Sequence, residues 1–466
     1  MSNKTNESRR AFMIKVGAAG VAASLGTQAI AATQRNDRPN IVFILADDMG
    51  FADLSCYGRR DYKTPNLDRL ASQGMLFTRG YANSAVCSAT RTALVTGRYQ
   101  DRFEIGLEEP VKEGTDIGLP AGTPTMPGQL KRLGYETFLV GKWHLGSIPK
   151  YSPLKFGYDH FFGFQGGATD YFAHRFNPAE PASPSTGMFA DDKPIERDGY
   201  MTDLLGDETV RIIRGASDKP FMISLHFNAP HWPWEGPDDI ARSRTMKDIK
   251  DFSGGSLETY GKIVQRLDEN VGKVLRALDE TGAAKNTIVV FTSDNGGERF
   301  SDVWPLTGRK GELLEGGLRV PLLVRWPDRI KAGSRSSQMV MSMDWLPTLL
   351  AAAGGVPDPS SRPDGDNVLP VMLGAAPQYD RELFWRYKAN QQAAVIRGNW
   401  KLLFLAGKEY LFDLAADEHE RANVKDLHPE IFKSLRHDFD HWNRQMLPYP
   451  IASFSESARG MQPDRY

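Results

Sequence analysis

The chain has 466 residues, of which 41% are hydrophobic and 25% are charged, and its formal net charge is -1. This composition predicts a globular protein with a large core, long enough for one large domain and a smaller one. A net charge so close to zero gives no indication of electrostatic binding to nucleic acid, and we expect no nucleic acid partner.

The first 31 residues are typical of an export signal rather than of a folded core. Arg9 and Arg10 precede a weakly apolar run over residues 16–30, and the end of that run suits cleavage before Ala32. The pattern resembles a twin-arginine signal, whose export machinery carries proteins already folded. We therefore expect a periplasmic or secreted protein. A membrane anchor is the alternative, but the run is short and rich in Ala and Gly.

Apolar runs alternate with helical patterns between residues 40 and 293, which predicts an α/β fold with a large, mostly parallel sheet flanked by helices. The runs that read as buried strands are residues 40–46, 136–141, 220–227 and 287–293. Helical patterns cover residues 65–73, 126–133 and 257–281. Residues 163–200 are irregular and contain several Pro and Gly, so we interpret them as a surface insertion near the site.

The texture changes near residue 380, where short and closely spaced strands predict a small antiparallel sheet. The expected strands are residues 382–387, 393–397, 400–405 and 409–413, and the expected closing helix is 429–446. The predicted divisions are a signal peptide (1–31), an α/β domain (38–353), a linker (354–379) and a C-terminal sheet-and-helix subdomain (380–466).

Polar side chains directly follow the four predicted strands. They are Asp47 and Asp48, Lys142 and His144, His231, and Asp294 and Asn295. Because ligands of open α/β sheets bind beyond the carboxyl ends of the strands, we expect these side chains to share one site. Four of them carry the oxygen ligands that Ca²⁺ or Mg²⁺ prefers, and no cluster of Cys or His points to zinc.

Cys87 begins a short helical pattern that ends at Gly97. The dipole and the free N–H groups of a helix N-terminus favour an anion beside this residue. Arg91, one turn further on, lies on the same face of the helix. The alternative interpretation is a buried structural cysteine.

Residues 87–91 (CSATR), followed by TGR at 96–98, resemble the signature of the formylglycine-dependent (type I) sulfatases of the alkaline phosphatase-like superfamily. The commonest form of that signature has Pro at the position of Ala89, and Ala is an accepted variant. Four further motifs resemble the family in the order in which it has them. They are GYET with GKWHLG at 134–137 and 141–146, APH at 229–231, SDNG at 293–296, and GRKG with EGGLRVP at 308–311 and 315–321.

The resemblance implies that Cys87 is oxidised to Cα-formylglycine by a maturation enzyme, either formylglycine-generating or radical. It also implies Ca²⁺ as the cofactor, with Mg²⁺ left open. The implied metal ligands are Asp47, Asp48, Asp294, Asn295 and the modified Cys87. A disulfide between Cys87 and Cys56 would consume the thiol that this oxidation needs, so we expect Cys56 to be a lone core thiol.

The resemblance also implies roles in catalysis. The hydrated aldehyde at Cys87 attacks sulfur, with Asp294 as the base that activates it. His231, assisted by Lys310, protonates the departing alcohol, and His144 then helps to expel sulfate. The remaining members of the set, which orient the diol, are Arg91 and Lys142. The expected substrate-binding residues are Lys142, His144, His231 and Lys310.

The predicted substrate is a sulfated carbohydrate, with a galactose-type 6-sulfate as the specific hypothesis. Polar and aromatic side chains near the strand ends are candidates for contact with sugar rings, although core packing explains such aromatics equally well. They are Tyr171, His174, Arg175, Trp232 and Trp234. Two alternatives stay open: a phosphonate or phosphate ester hydrolase of the same superfamily, and a catalytically silent binder of sulfated glycans.

Overall fold

A large, mostly parallel sheet organises the computed structural model, which describes residues 38–457 apart from 113, 177, 179–186 and 251–253. The strands of this sheet are β1 (Asn40–Ala46), β2 (Met75–Tyr81), β3 (Glu136–Lys142), β4 (His160–Phe164), β5 (Met188–Ala190), β6 (Lys193–Ile195), β7 (Phe221–His226), β8 (Thr287–Ser293), β9 (Arg319–Arg325), β10 (Ser334–Ser336) and β11 (Val340–Met341). Their order is β10-β2-β9-β8-β1-β7-β3-β4-β5-β6, with β11 also paired to β2. The predicted fold class is confirmed.

The four strands predicted from sequence are neighbours at the centre of this sheet. β1 pairs in parallel with both β7 and β8, and β3 pairs in parallel with β7. Alternate side chains of β1 enter different cores, because successive residues of a strand point to opposite faces: Ile44 is buried on one face and Phe43 on the other. With both faces covered, the strands are continuous apolar runs, which made them recognisable in the sequence.

Helices cover both faces of the sheet. They are α1 (Pro65–Ser72), α2 (Cys87–Thr96), α3 (Met126–Arg132), α4 (Met201–Arg214), α5 (Ile240–Ser243), α6 (Leu257–Glu280), α7 (Glu315–Leu318), α8 (Trp345–Ala352), α9 (Leu369–Met372) and α10 (Pro429–Asn443). One face of α6, which lies within the predicted helical pattern 257–281, is apolar and buried, with Ile263, Leu267 and Val271 in the core that also holds Leu205 of α4.

A smaller antiparallel sheet follows in the chain, as predicted, with the order β12 (Glu382–Tyr387), β13 (Gln392–Arg397), β14 (Trp400–Leu405) and β15 (Lys408–Asp413). Its core includes Trp385 and Phe439 of α10, and it extends to Val86 and Ala89 around the start of α2. The C-terminal sheet therefore packs against the segment that carries Cys87. The predicted boundaries between the signal peptide, domain, linker and subdomain stay predictions.

Two parts of the sequence-based interpretation need correction. β2 and β9 pair antiparallel and join the large sheet, although neither was predicted as a strand. The described part of residues 163–200 is not wholly irregular surface, since it contains β5 and β6 and the fully buried Tyr171. The predicted signal peptide lies outside the described residues, and no described helix is long and apolar enough to cross a membrane.

Candidate active site

The carboxyl ends of β8, β1, β7 and β3 meet at one edge of the sheet and bring the predicted site residues together. Asp47 and Asp48 follow β1, and Asp294 follows β8; all three are at most 2% exposed. Asp48 has a φ of 65°, in the left-handed region, and its N–H donates to Asp294 Oδ1 at 3.2 Å. His144, beyond β3, also has a positive φ of 58°. Such backbone conformations are uncommon for residues other than Gly and concentrate at functional sites.

Cys87 is the first residue of α2, as predicted, and is 2% exposed. Gly97 ends the helix in the left-handed conformation, with a φ of 68°. The Cys87 Sγ lies 3.4 Å from Asp47 Oδ1 and 3.8 Å from Asp48 Oδ1. Burial raises the pKa of the Cys87 thiol well above its ordinary value, and the Asp294 carboxylate adds to that effect. The unmodified thiol is therefore a poor nucleophile where it lies.

Three buried cations hold the three aspartates. Lys142 Nζ donates to Asp47 Oδ2 at 2.6 Å, and Lys310 Nζ donates to Asp48 Oδ2 at 2.7 Å. Arg91 donates to Asp294 Oδ2 from both Nε (3.1 Å) and Nη2 (2.8 Å). Since Oδ2 of each β1 aspartate is occupied by an ammonium group, Oδ1 of each is the atom that faces Cys87.

Burial and these neighbouring charges shift the pKa values of the aspartates in different directions. Burial raises the pKa of Asp47 to about 8, against the lowering effect of Lys142. Burial acts in the same direction on Asp48, but Lys310 and His231 outweigh it, so the pKa of Asp48 falls below its ordinary value. For Asp294 burial is likewise outweighed, by Arg91 and Lys142, and its pKa is lowered. Asp48 and Asp294 thus stay ionised without access to water, a state that a nearby cation favours.

The donor set of the site fits a hard divalent cation. Asp47, Asp48, Cys87 and His231 each offer a ligand atom, and these atoms all lie within 4.8 Å of one another. The amide of Asn295 donates to Asp48 Oδ1 at 2.7 Å, while its Oδ1 is buried and has no hydrogen-bond partner among the described residues. Carboxylate and amide oxygens suit Ca²⁺ or Mg²⁺. Geometry adds His231 to the residues that sequence suggested for the metal.

The two predicted histidines present one ring nitrogen each to the site. His144 Nε2 donates to the carbonyl oxygen of Val111 at 3.1 Å, which leaves Nδ1 buried without a partner among the described residues. His231 Nδ1 donates to the Trp232 carbonyl at 2.6 Å, and its Nε2 lies 3.4 Å from Lys310 Nζ. Burial lowers the pKa of His231 to about 3, although Asp48 opposes this effect.

A cavity of about 290 Å³ opens above these residues. Cys87, His144, His231 and Lys310 line it, together with residues that sequence reasoning missed. The missed lining residues are Pro110, Val111, Lys112, Gly167, Ala168, Phe176, Lys250, Phe454 and Glu456. No local pattern marks most of them, because they come from loops and from the segment after α10.

Two buried side chains beside the site were also missed. His226, the last residue of β7, donates from Nδ1 to the carbonyl of Lys142 at 3.2 Å; its place at a strand end was the available signal. Glu298 Oε1 lies 3.4 Å from Lys310 Nζ, and burial raises the pKa of Glu298 to about 8 against the effect of Lys310.

Gly141, at the end of β3, has a φ of 113°, and a Cβ there would meet the backbone of His226. The neighbouring strand, rather than a ligand, therefore requires glycine at this position.

The structure places the five candidates for sugar contact in different surroundings. Of the five candidates, Trp232 lines the cavity. Tyr171 is fully buried, and its hydroxyl donates to the His231 carbonyl at 2.9 Å. Trp234 is 2% exposed, and His174 and Arg175 line a different cavity.

The prediction that Cys56 is a lone core thiol is met in part. Cys56 and Cys87 are both free thiols, but Cys56 is only partly buried at the edge of the core.

Comparison with known proteins identifies the family of the chain. The sulfatase family model matches residues 39–356, and a model for the C-terminal part of N-sulphoglucosamine sulphohydrolase matches residues 309–445. The N-acetylgalactosamine-6-sulfatase of Mus musculus is 36% identical over 405 residues, covering 82% of this chain and 74% of that protein. The N-acetylgalactosamine-6-O-sulfatase of Bacteroides thetaiotaomicron is 30% identical over 480 residues, covering 86% and 92%.

A solved structure extends the similarity to three dimensions. The crystal structure of Ps i-CgsB in complex with k-i-k-neocarrahexaose is 30% identical, has a TM-score of 0.80, and covers 91% of this chain and 96% of its own. The family resemblance predicted from five motifs is therefore confirmed. The chain belongs to the sulfatase family and is a sulfuric ester hydrolase.

Proposed function

We propose that this protein hydrolyses the sulfate ester of a carbohydrate, with formylglycine formed from Cys87 and with bound Ca²⁺. The observation that carries the proposal is the pair of Oδ1 atoms from Asp47 and Asp48 that face Cys87 beside three buried cations. Two of the relatives are named for N-acetylgalactosamine 6-sulfate, and the solved structure holds a neocarrahexaose. These names support a galactose-type 6-sulfate as the substrate.

Asp47, Asp48, Asp294 and Asn295 would hold the ion, and Mg²⁺ is the second candidate. Once these groups are in place, the metal supplies a Lewis acid and the hydrated aldehyde supplies an oxygen nucleophile for sulfur. Asn295 Oδ1 has no partner within the described part of the chain, and this supports a metal at this position, because a buried acceptor without a partner is costly.

The cations of the site would stabilise the charge that develops on the sulfate oxygens. A sulfate monoester carries one delocalised negative charge, and fixed donors in a dry site are worth far more than donors in water. Lys142 and Lys310 are at most 3% exposed, and Lys310 lines the cavity. Arg91, held by the fork of contacts to Asp294, would fix the carboxylates rather than contact the ester.

Two histidines and a carboxylate would move the protons. His231 Nε2 is the proposed proton donor to the departing alkoxide. Because Nδ1 holds the ring proton on the Trp232 carbonyl, Nε2 would take the proton that it donates from the Lys310 ammonium, 3.4 Å away. His144 Nδ1, free of protein partners among the described residues, is the proposed acceptor in the step that expels sulfate. Asp294 is the proposed base for the nucleophile; Asp47 Oδ1, 3.4 Å from Sγ, is the competing candidate.

We further propose that Cys87 is oxidised in the cytoplasm by a formylglycine-generating or radical maturation enzyme. The protein would then cross to the periplasm, or be secreted, through the twin-arginine machinery in the folded state. The twin arginines at positions 9 and 10 support this route. Cys87 is only 2% exposed in the folded protein, which supports oxidation before the chain has folded around it.

Sulfate release from N-acetylgalactosamine 6-sulfate tests the proposal, with protein co-expressed with a maturation enzyme and supplied with Ca²⁺. Wild type and Cys56→Ala are expected to release sulfate, and Cys87→Ala is expected to release none. Cys56→Ala is the matched control because Cys56 is a free thiol outside the site. Mass spectrometry of the residue-87 peptide should show loss of the thiol in the active proteins.

If the modified, Ca²⁺-loaded protein releases no sulfate from this sugar or from sulfated galactans, the carbohydrate assignment is wrong. Hydrolysis of a phosphonate monoester under those conditions would favour the second reaction class. A thiol retained in protein that binds sulfated glycans would favour the silent binder.

A further inference from the structure

The chain returns to the active-site cavity after its last helix. Phe454 and Glu456 line the cavity that also contains Cys87 and His231, although they lie more than 200 residues from either of them in sequence. This segment is therefore a wall of the site supplied by the C-terminal part of the chain.

The backbone of this segment is held firmly against Glu109. The Glu109 N–H donates to the Phe454 carbonyl at 2.9 Å, and the Glu456 N–H donates to the Glu109 carbonyl at 2.7 Å. The side-chain carboxyl group of Glu109 also accepts hydrogen bonds from the hydroxyls of Ser455 and Tyr449. Because the backbone is fixed on both sides of residue 455, the side chains at 454 and 456 are presented to the cavity in defined positions.

The two side chains offer complementary chemistry. The Phe454 ring is an apolar face, with the Lys112 ammonium 3.7 Å from its centroid. Glu456 is partly exposed, and its carboxylate has no hydrogen-bond partner among the described residues, while its carbonyl accepts from the Tyr387 hydroxyl at 2.7 Å. An aromatic face beside a free carboxylate suits a sugar ring, which has an apolar C–H face and hydroxyl donors at its edge.

We propose that Phe454 and Glu456 determine the specificity of this sulfatase by binding the sugar ring that bears the sulfate. Phe454 packs against the ring face, and Glu456 accepts hydrogen bonds from its unsulfated hydroxyl groups. The inference rests on the proposed function. A carboxylate repels sulfate, so Glu456 also separates the hydroxyl side of the ring from the cationic side at Lys310 that receives the ester.

The test compares kcat/KM for N-acetylgalactosamine 6-sulfate with kcat/KM for 4-nitrophenyl sulfate, which lacks ring hydroxyls. Glu456→Gln is expected to lower the ratio of sugar to aryl ester by about 10- to 100-fold, the range for a charge-assisted hydrogen bond. Phe454→Ala is expected to lower it by about 2- to 10-fold. Glu430→Gln is the matched control, because that carboxylate is 84% exposed on α10.

A binding measurement separates recognition from turnover. In the Cys87→Ala background, calorimetric titration with N-acetylgalactosamine 6-sulfate should show weaker binding on adding Glu456→Gln but not on adding Glu430→Gln. An unchanged ratio and unchanged binding in both Glu456→Gln and Phe454→Ala would overturn the inference while leaving the sulfatase function in place. A modified wild type inactive on both esters would overturn the proposed function, and this inference with it.

Discussion

Replacing Arg91 with Met tests whether the buried cations hold the site together. Arg91 is 1% exposed, donates twice to Asp294 Oδ2 at 3.1 and 2.8 Å, and donates from Nη1 to the Lys142 carbonyl at 3.3 Å. Methionine fills a similar volume but leaves the carboxylate of Asp294, which is fully buried, without its closest counter-ion. Removal of one partner from a buried ion pair costs about 3–5 kcal/mol, and we expect a loss of that size in the free energy of unfolding.

Urea unfolding of wild type, Arg91→Met, Arg91→Lys and Arg276→Met measures this loss. Arg276 is the control because it is exposed on α6. Arg91→Lys keeps the charge without the planar fork, so its midpoint should fall between those of wild type and Arg91→Met. Added Ca²⁺ should restore part of the free energy of unfolding that Arg91→Met loses, since the ion would neutralise Asp294 in place of the guanidinium. A midpoint for Arg91→Met equal to that of Arg276→Met would refute the reasoning.

Three further predictions concern the metal, the C-terminal sheet and pH. Chelation should lower both activity and the unfolding temperature, with Ca²⁺ restoring them, and Asn295→Ala should need more Ca²⁺ for the same recovery; full activity in chelator would exclude the metal. Lys401 is fully buried, 3.0 Å from Glu315 and 2.8 Å from Glu420. Lys401→Met should therefore lower the free energy of unfolding by about 3–5 kcal/mol without changing KM. A raised KM would contradict a purely structural role for Lys401. Burial raises the pKa of Glu109 from 4.5 to about 8, so the folded state keeps a proton that the unfolded chain releases. The free energy of unfolding should therefore fall by up to about 1.4 kcal/mol per pH unit between those values. Glu109→Gln should make this pH dependence weaker, and a pH dependence equal to that of wild type would contradict the role of Glu109.

The central sheet and the residues at its edge were predictable because each rests on a local signal. A parallel strand buried on both faces is an unbroken apolar run, as in residues 40–46 and 287–293. The polar residue that follows such a run must lie at the carboxyl end of the strand. Parallel pairing then brings Asp47 and Asp294 to the same edge without further information.

The unpredicted parts depend on contacts between residues distant in the chain. β9 (Arg319–Arg325) contains Pro321 and begins and ends with Arg, so its local pattern argues against a strand; its antiparallel partners β2 and β8 are what define it. The sequence left Tyr171 open between sugar contact and core packing; its hydroxyl donates to the His231 carbonyl, a partner 60 residues away. Phe454 and Glu456 line the cavity, and their backbone is hydrogen-bonded to Glu109, which is distant in the chain.

The charged residues at the strand ends have no explanation in stability. Six charged side chains lie together at 3% exposure or less: Asp47, Asp48, Arg91, Lys142, Asp294 and Lys310. Buried ion pairs gain little or nothing over apolar residues of the same volume, because desolvation offsets their attraction. A core assembled for stability alone would place apolar side chains there. The burial of these charges is explained if the carboxylates bind a cation and the lysines bind an ester anion, since exclusion of water strengthens both interactions. The burial of these charges is therefore itself evidence for chemistry at this edge of the sheet.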